Sequence, residues 1–201
     1  MRNAPPERSR PLPFTRTTRS SVPTPPLRLG IACDVSGSMV EFARPVASAA
    51  WILAHAARHT LVETNTATVI FGEHVRPIVH TGTPPTLVTE FHATDMYEAA
   101  DEALDALDGA LGLSRPGAAR LLVIVSDGFW QPEPRHAAQA HVDRLRRSGC
   151  GLLWLAPRET NPEWATQPLD GANVLELGDP TATATAIARA ATTALRTTQA
   201  C

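Results

Sequence analysis

The feature that most constrains the fold is a series of short apolar runs that alternate with stretches of helical periodicity. Leu121–Val125 (LLVIV) is apolar at every position, as expected of a strand buried on both faces of a parallel sheet. Leu27–Cys33 and Gly151–Ala156 are also short and mostly apolar. Between these runs, apolar residues recur every three or four positions, as they do on one face of a helix. The alternation predicts a three-layer, doubly wound α/β fold around a mostly parallel sheet.

One edge of this sheet is predicted to be antiparallel. Thr66–Phe71 and Val75–Val79 have strand character, and only residues 72–74 separate them. So short a connection predicts a hairpin, because parallel strands need a much longer crossover. Asn173–Leu177 is predicted to be the last strand. Helical periodicity covers residues 42–61, 96–111, 135–148 and 182–198.

The start of the second of these helices is predicted from its polar residues. Asp95 and Glu98 have the spacing of a capping box, in which two polar side chains satisfy free N–H groups in the first turn. Met96 is then the first residue of the apolar stripe that faces the core.

The first 26 residues differ from the rest of the chain. Residues 1–26 contain seven prolines and almost no aliphatic side chains, and the stretch through Arg28 carries six arginines and one glutamate. Since the whole chain has a formal charge of −2, the remainder is acidic. We predict a basic, extended or disordered leader, 1–26, followed by one folded domain, 27–201. A solvated linker is the favoured interpretation of the leader, and an arm that docks on a partner or on an anionic polymer is the alternative.

The residue types that are absent exclude several functions. The 18 basic residues are all arginine, which excludes a phosphate-binding Walker lysine and Schiff-base chemistry. The three cysteines, Cys33, Cys150 and Cys201, form no C-x-x-C pair, so a zinc ribbon or a redox motif is not expected. Cys33 is expected to be a buried, inert thiol. No apolar run is long enough for a membrane span and the leader lacks a signal-peptide core, so we expect a cytoplasmic protein with no membrane partner.

Polar side chains follow two of the predicted central strands. Asp34 comes directly after the first strand, and Asp127 follows the LLVIV strand by two positions. Ligands of doubly wound sheets bind at the carboxyl ends of the strands. The first loop adds the hydroxyls of Ser36 and Ser38, and Gly37 is expected to let the loop turn tightly. Hard oxygen ligands of low total charge suit Mg²⁺, which predicts a magnesium site at this edge.

The pattern resembles the von Willebrand factor A (VWA) domain over about residues 27–198. The resemblance is carried by D-x-S-G-S after a buried strand, by Thr94 before a helix, and by an apolar strand that ends in S-D-G. It implies a Rossmann-like VWA fold and a metal-ion-dependent adhesion site formed by Asp34, Ser36, Ser38, Thr94 and Asp127. In that family the three hydroxyls coordinate the metal directly, and the two aspartates act largely through metal-bound water. The ion implied is Mg²⁺, with Mn²⁺ or Ca²⁺ as alternatives.

The function that the resemblance implies is binding rather than catalysis. A partner protein would supply an Asp or Glu carboxylate to the open coordination position. Stand-alone bacterial members of the family often work beside MoxR-type AAA+ ATPases, so an adaptor in an intracellular complex is expected. Nucleic-acid binding is expected only through the basic leader.

The alternative is an enzyme, a Mg²⁺-dependent phosphohydrolase of the haloacid-dehalogenase-like α/β type. Those enzymes use a D-x-D-x-T loop and a lysine, whereas this chain has Ser36 at the second acidic position and no lysine. A serine hydrolase also fits poorly, because Asp34 stands where G-x-S-x-G requires glycine.

Three weaker signals remain open. His55, His59 and Glu63 have a spacing that could hold a metal, although a solvated helix face is the favoured interpretation. His92 lies two residues before Thr94, and an ordinary loop histidine is the favoured interpretation. Phe129 and Trp130 follow the Asp127 turn, where they would be either an exposed anchor for a partner or packed against a neighbouring loop.

Overall fold

The computed structural model describes residues 25–58, 63–81, 91–158 and 165–177, with 185, 188–190 and 192–193. In chain order the strands are β1 (Leu27–Asp34), β2 (Thr64–Phe71), β3 (Val75–Val79), β4 (Ala119–Val125), β5 (Gly151–Pro157) and β6 (Asn173–Leu177). The helices are α1 (Ala43–Arg58), α2 (Ala100–Leu111) and α3 (Pro132–Arg147), and a 3-10 helix, Gly37–Phe42, precedes α1.

These strands form one sheet in the order β3-β2-β1-β4-β5-β6. β3 pairs antiparallel with β2, and all other neighbours are parallel. The predicted α/β fold with one antiparallel edge strand is therefore confirmed. The apolar runs predicted the strands well because a strand covered on both faces has no position that favours a polar side chain.

The core consists of two layers, one on each face of the sheet. Alternate residues of β1 point to opposite faces, so Ile31 and Cys33 pack in the α1 layer with Leu53 while Ala32 packs in the other layer. The second layer lies under α2 and α3 and includes Trp154. Cys33 is fully buried, and this burial raises the pKa of its thiol well above the ordinary value, as expected of an inert cysteine.

The predicted start of α2 is wrong. The helix begins at Ala100, and the Asp95 carboxylate accepts a hydrogen bond from the backbone N–H of Glu73, in the β2–β3 turn, at 3.0 Å. Glu98 accepts from the backbone N–H of Gln131, at the start of α3, at 3.2 Å. Met96 is 87% exposed rather than in the core. Contacts with other loops therefore override the local capping pattern.

Some predictions fall on residues outside the described ranges. The leader is described only at Pro25 and Pro26, so its boundary stays a prediction. Of the predicted last helix, residues 188–190 and 192–193 are helical, and Ala190 packs against the α1 layer. No helix within the described residues is long and apolar enough to cross a membrane.

Candidate metal centre

The carboxyl ends of β1 and β4 bring two of the predicted site residues to the same edge of the sheet. The pairing register places Cys33 opposite Val125, so Asp34 and Ser126 are the next residues on the two strands. The Ser126 hydroxyl donates to Asp34 Oδ2 at 2.6 Å. Asp127 follows directly, and both aspartates are buried.

Asp34 is fixed by hydrogen bonds to both of its oxygens. Oδ1 accepts from the backbone N–H of Ser36 at 2.8 Å. Oδ2 accepts from Ser126 and from the indole N–H of Trp130 at 2.9 Å. Burial raises the pKa of the Asp34 carboxyl, and these hydrogen bonds, which favour the charged form, oppose the rise. The carboxylate is thus held in one orientation behind the first loop.

The first loop brings the hydroxyls of Ser36 and Ser38 together, with the two oxygen atoms 3.2 Å apart. Ser36 is buried and Ser38 is exposed, so the pair runs from the interior to the surface. The expectation that Gly37 is needed for the turn is wrong. Gly37 has no positive φ, and a Cβ there would meet only the Asp95 carbonyl oxygen at an ordinary 3.6 Å.

The second loop, which precedes α2 and carries Thr94 and Asp95, is bonded to the first loop through its main chain. Ser36 and Asp95 form an isolated parallel bridge, and the Gly37 N–H donates to the Asp95 carbonyl at 2.8 Å. Thr94, the residue before Asp95, is exposed. A Cβ on Gly72 would overlap the Asp95 carboxyl, so the hairpin turn and this loop are closely packed. The structure therefore places Thr94 next to the loop that carries Ser36 and Ser38.

The third loop, which follows β4 and carries Asp127 and Gly128, is hydrogen-bonded to the segment before β6. Asp127 Oδ1 accepts from the backbone N–H of Phe129 at 3.0 Å, and the Asp127 carbonyl accepts from the N–H of Gln167 at 2.7 Å. Gly128 has φ +80° and a Cβ there would overlap the Gln167 carbonyl. Arg135 on α3 donates to the carbonyls of Gly128 and Gln167 at 3.1 and 2.9 Å. This loop therefore has little freedom to move.

Negative charge is concentrated behind these loops. Glu98 is buried, and its burial raises the pKa of the carboxyl; the charges of Asp34 and Asp127 raise it further. Sequence reasoning missed Glu98, because the capping box explained it locally. Within the described residues, no group of three or more His, Cys, Asp and Glu side chains could hold a metal. A cation at this edge would therefore depend on hydroxyl oxygens, and the hydroxyl and carboxylate set found here has the chemistry that Mg²⁺ prefers.

Trp130 is buried in the interior of the site and is not an exposed anchor for a partner. It is only 8% exposed, and its ring lies 5.7 Å from that of Phe71 and 5.4 Å from that of Trp154. Its indole N–H reaches Asp34 and, at 3.1 Å, the Ser126 hydroxyl. Packing is one of the two alternatives that the sequence predicts for Trp130, whereas no sequence pattern predicts its hydrogen bond to Asp34.

The predicted histidine stripe is only partly described. His59 lies outside the described residues, while His55 stacks on Trp51 with ring centroids 4.5 Å apart. His92 is exposed in the loop before Thr94.

A family model and several solved structures resemble this chain. The model described as "VWA domain containing CoxE-like protein" matches residues 7–185. The pilus adhesin SpaC from Lactobacillus rhamnosus GG, in its open conformation, is 12% identical with a TM-score of 0.59 over 89% of this chain. A von Willebrand factor type A structure from Catenulispora acidiphila is 20% identical with a TM-score of 0.54 over 84%. The manganese-loaded TRAP protein of Plasmodium vivax is 15% identical with a TM-score of 0.56 over 83%.

The solved structures support the fold alone, because their sequence identities are low. This chain spans 31% of SpaC, 42% of the Catenulispora chain and 74% of TRAP. No curated protein has significant sequence similarity to it.

Proposed function

Because this chain belongs to the family of CoxE-like proteins that contain a VWA domain, we propose that it binds a partner protein through a divalent cation. Metal-dependent protein interaction is the general property of VWA domains. The observation that carries the proposal is that two serine hydroxyls 3.2 Å apart follow β1, while the buried carboxylates of Asp34 and Asp127 lie at the neighbouring ends of β1 and β4.

We propose distinct roles for the site residues. Ser36, Ser38 and Thr94 would bind the ion directly through their hydroxyls, and Asp34 and Asp127 would act through water. When bound, the cation supplies positive charge and an open coordination position for a partner carboxylate. Asp34 is suited to an indirect role, because both of its oxygens already accept hydrogen bonds from protein donors.

The ion proposed is Mg²⁺, with Mn²⁺ or Ca²⁺ as alternatives. Mg²⁺ retains several waters and binds through few protein oxygens, which agrees with hydroxyl ligands and water-mediated carboxylates. The structure of TRAP with manganese supports a divalent cation in this fold.

We propose that the chain is not an enzyme. An aspartyl nucleophile of a phosphohydrolase must present a free oxygen to phosphorus, whereas Asp34 is 1% exposed and hydrogen-bonded at both oxygens. The chain also has no lysine to bind the phosphate. These observations favour the binding module over the haloacid-dehalogenase-like alternative.

For the partner, the resemblance to stand-alone bacterial VWA proteins favours an intracellular complex with a MoxR-type AAA+ ATPase. Co-precipitation of the tagged full chain with Mg²⁺ or with EDTA tests this. An AAA+ subunit retained only with Mg²⁺ would support the assignment, and retention of other proteins alone would contradict it.

The metal is tested by thermal unfolding of the full chain with Mg²⁺, with Mn²⁺ and with EDTA. A ligand at 100 times its Kd stabilises a protein by about 2.7 kcal/mol, and for a domain of this size each kcal/mol raises Tm by about 2–4 °C. We expect Ser38→Ala to remove most of this rise, because it deletes one proposed ligand from an exposed position.

The matched control is Ser48→Ala, an exposed serine on α1, which should keep the full rise. No metal-dependent shift in the unaltered chain would refute the metal site. A phosphatase activity lost in Asp34→Ala would instead favour the enzyme.

A further inference from the structure

Three of the four large hydrophobic side chains exposed within the described residues lie on the two chain segments that carry Ser38 and Thr94. Val40 is 59% exposed, Met96 87% and Tyr97 45%. The fourth is Val174 on β6, at 43%. We call Val40, Met96 and Tyr97 the apolar rim.

The rim lies on the same two loops as three of the proposed metal ligands. Val40 follows Ser38 by two residues in the 3-10 helix. Met96 and Tyr97 follow Thr94 by two and three residues. The Ser36–Asp95 bridge aligns these two segments side by side. The apolar rim therefore stands on the same two bridged chain segments as these three proposed ligands.

The exposure of the rim does not contribute to folding. Met96 has the spacing of a core residue of α2, yet the helix begins only at Ala100, and the Asp95 main chain is bonded to the first loop instead. A hydrophobic side chain in water loses the stabilisation that burial would give. Several large apolar side chains exposed on adjoining segments are typical of an interaction surface, and Met and Tyr are enriched in such interfaces.

The charges around the rim select the kind of partner. Glu41 and Glu73 are exposed on the 3-10 helix and the hairpin turn, and Asp34, Glu98 and Asp127 are buried. The Arg76 guanidinium, 3.8 Å from the Asp95 carboxylate, offsets part of this negative charge. The excess of carboxylates over guanidinium groups disfavours an anionic membrane surface. It also repels an acidic segment wherever no cation neutralises it, so a partner carboxylate must come to the metal position. Neighbouring apolar contacts can then distinguish one acidic segment from another.

We infer that the partner offers an Asp or Glu with a large apolar residue within two positions of it, and that this residue packs on the apolar rim. The inference rests on the proposed function, because the carboxylate enters through the cation. It adds a recognition element that no proposed metal ligand supplies.

The experiment selects peptides from a random dodecapeptide phage library on the immobilised full chain in Mg²⁺, with elution by EDTA. We expect the eluted peptides to contain an acidic residue with Leu, Ile, Met or Phe within two positions. One selected peptide is then synthesised with its apolar residue replaced by Ser, and separately with its acid replaced by Asn or Gln. On the unaltered chain, the Ser change should weaken binding about tenfold, and the amide change should abolish it.

The double variant Met96→Ser/Tyr97→Ser separates the rim from the metal. It should keep Mg²⁺-dependent binding of the acidic peptide but lose the preference for the apolar residue. The Ser change in the peptide should then weaken its binding less than about twofold. Val174→Ser is the matched control, because it removes an exposed apolar side chain from β6, outside the apolar rim. This variant should keep the full preference.

The possible failures are distinguishable. Acidic peptides with no apolar preference, or a preference that survives in the double variant, would overturn the rim and leave the proposed function intact. Absence of any EDTA-eluted acidic peptide would overturn both. Self-association of the free chain, or binding to phosphatidylserine vesicles, would also overturn the inference if Met96→Ser/Tyr97→Ser abolished it, because a second copy or a membrane would then cover the rim.

Discussion

The candidate site has two halves that differ in how tightly the protein holds them. In the inner half, Asp34, Asp127 and Trp130 are buried, and each makes hydrogen bonds to neighbouring loops. In the outer half, Ser38 and Thr94 are exposed, as is the apolar rim beside them. The inner half therefore fixes the geometry before any ligand arrives, and the outer half is free to meet a partner. Substitutions in the inner half should change folding stability, and those in the outer half should change binding.

The largest expected loss of stability is for Gly128→Ala. The φ of +80° disfavours alanine, and the new methyl group would overlap the Gln167 carbonyl. Together these effects should cost about 3 kcal/mol of the free energy of unfolding, measured by urea denaturation in EDTA. The matched control is Gly109→Ala on α2, where a Cβ meets nothing within 4 Å, and which should stabilise the chain by about 0.5–1 kcal/mol. A neutral Gly128→Ala would show that the third loop is not rigidly packed.

Trp130→Phe should have an intermediate effect. The phenyl ring keeps part of the packing against Phe71 and Trp154, but the indole N–H that reaches Asp34 is lost. We expect a loss of about 1–2 kcal/mol in urea denaturation and weaker Mg²⁺ binding by calorimetry, because Asp34 is less well oriented. Unchanged Mg²⁺ affinity with reduced stability would restrict Trp130 to a packing role.

Thr94→Val should have the smallest effect on stability, within about 0.5 kcal/mol in EDTA, because Thr94 is exposed and the new side chain has a similar shape. The same substitution should remove most of the Mg²⁺-dependent rise in Tm, since it replaces a proposed ligand oxygen by carbon. A variant that retained the full rise would exclude Thr94 as a ligand and redraw the boundary between the two halves.

The sequence predicts some residues of the site and not others, and the difference does not follow the division into halves. Asp34, Ser36 and Ser38 stand within one loop after an obvious strand, so a local pattern was sufficient to place them together. Trp130 donates to Asp34, 96 positions away, and Glu98 accepts from Gln131, 33 positions away. No local pattern encodes such pairings. The predicted start of α2 is wrong for the same reason, because both ends of residues 95–99 are bonded to distant main chain. The Gly37 N–H donates to the Asp95 carbonyl, and the Ala99 N–H donates to the Gly72 carbonyl.

The hydrogen bond between Asp95 and the β2–β3 turn connects the site to a turn that contains none of the proposed ligands. The Asp95 carboxylate accepts from the Glu73 N–H and lies 3.8 Å from the Arg76 guanidinium, while its carbonyl holds the first loop. A sequence change in the hairpin would therefore act on the segment that joins Thr94 to the first loop without replacing any proposed ligand. Variants of this turn would then differ in the strength of partner binding while the ligand residues stay the same.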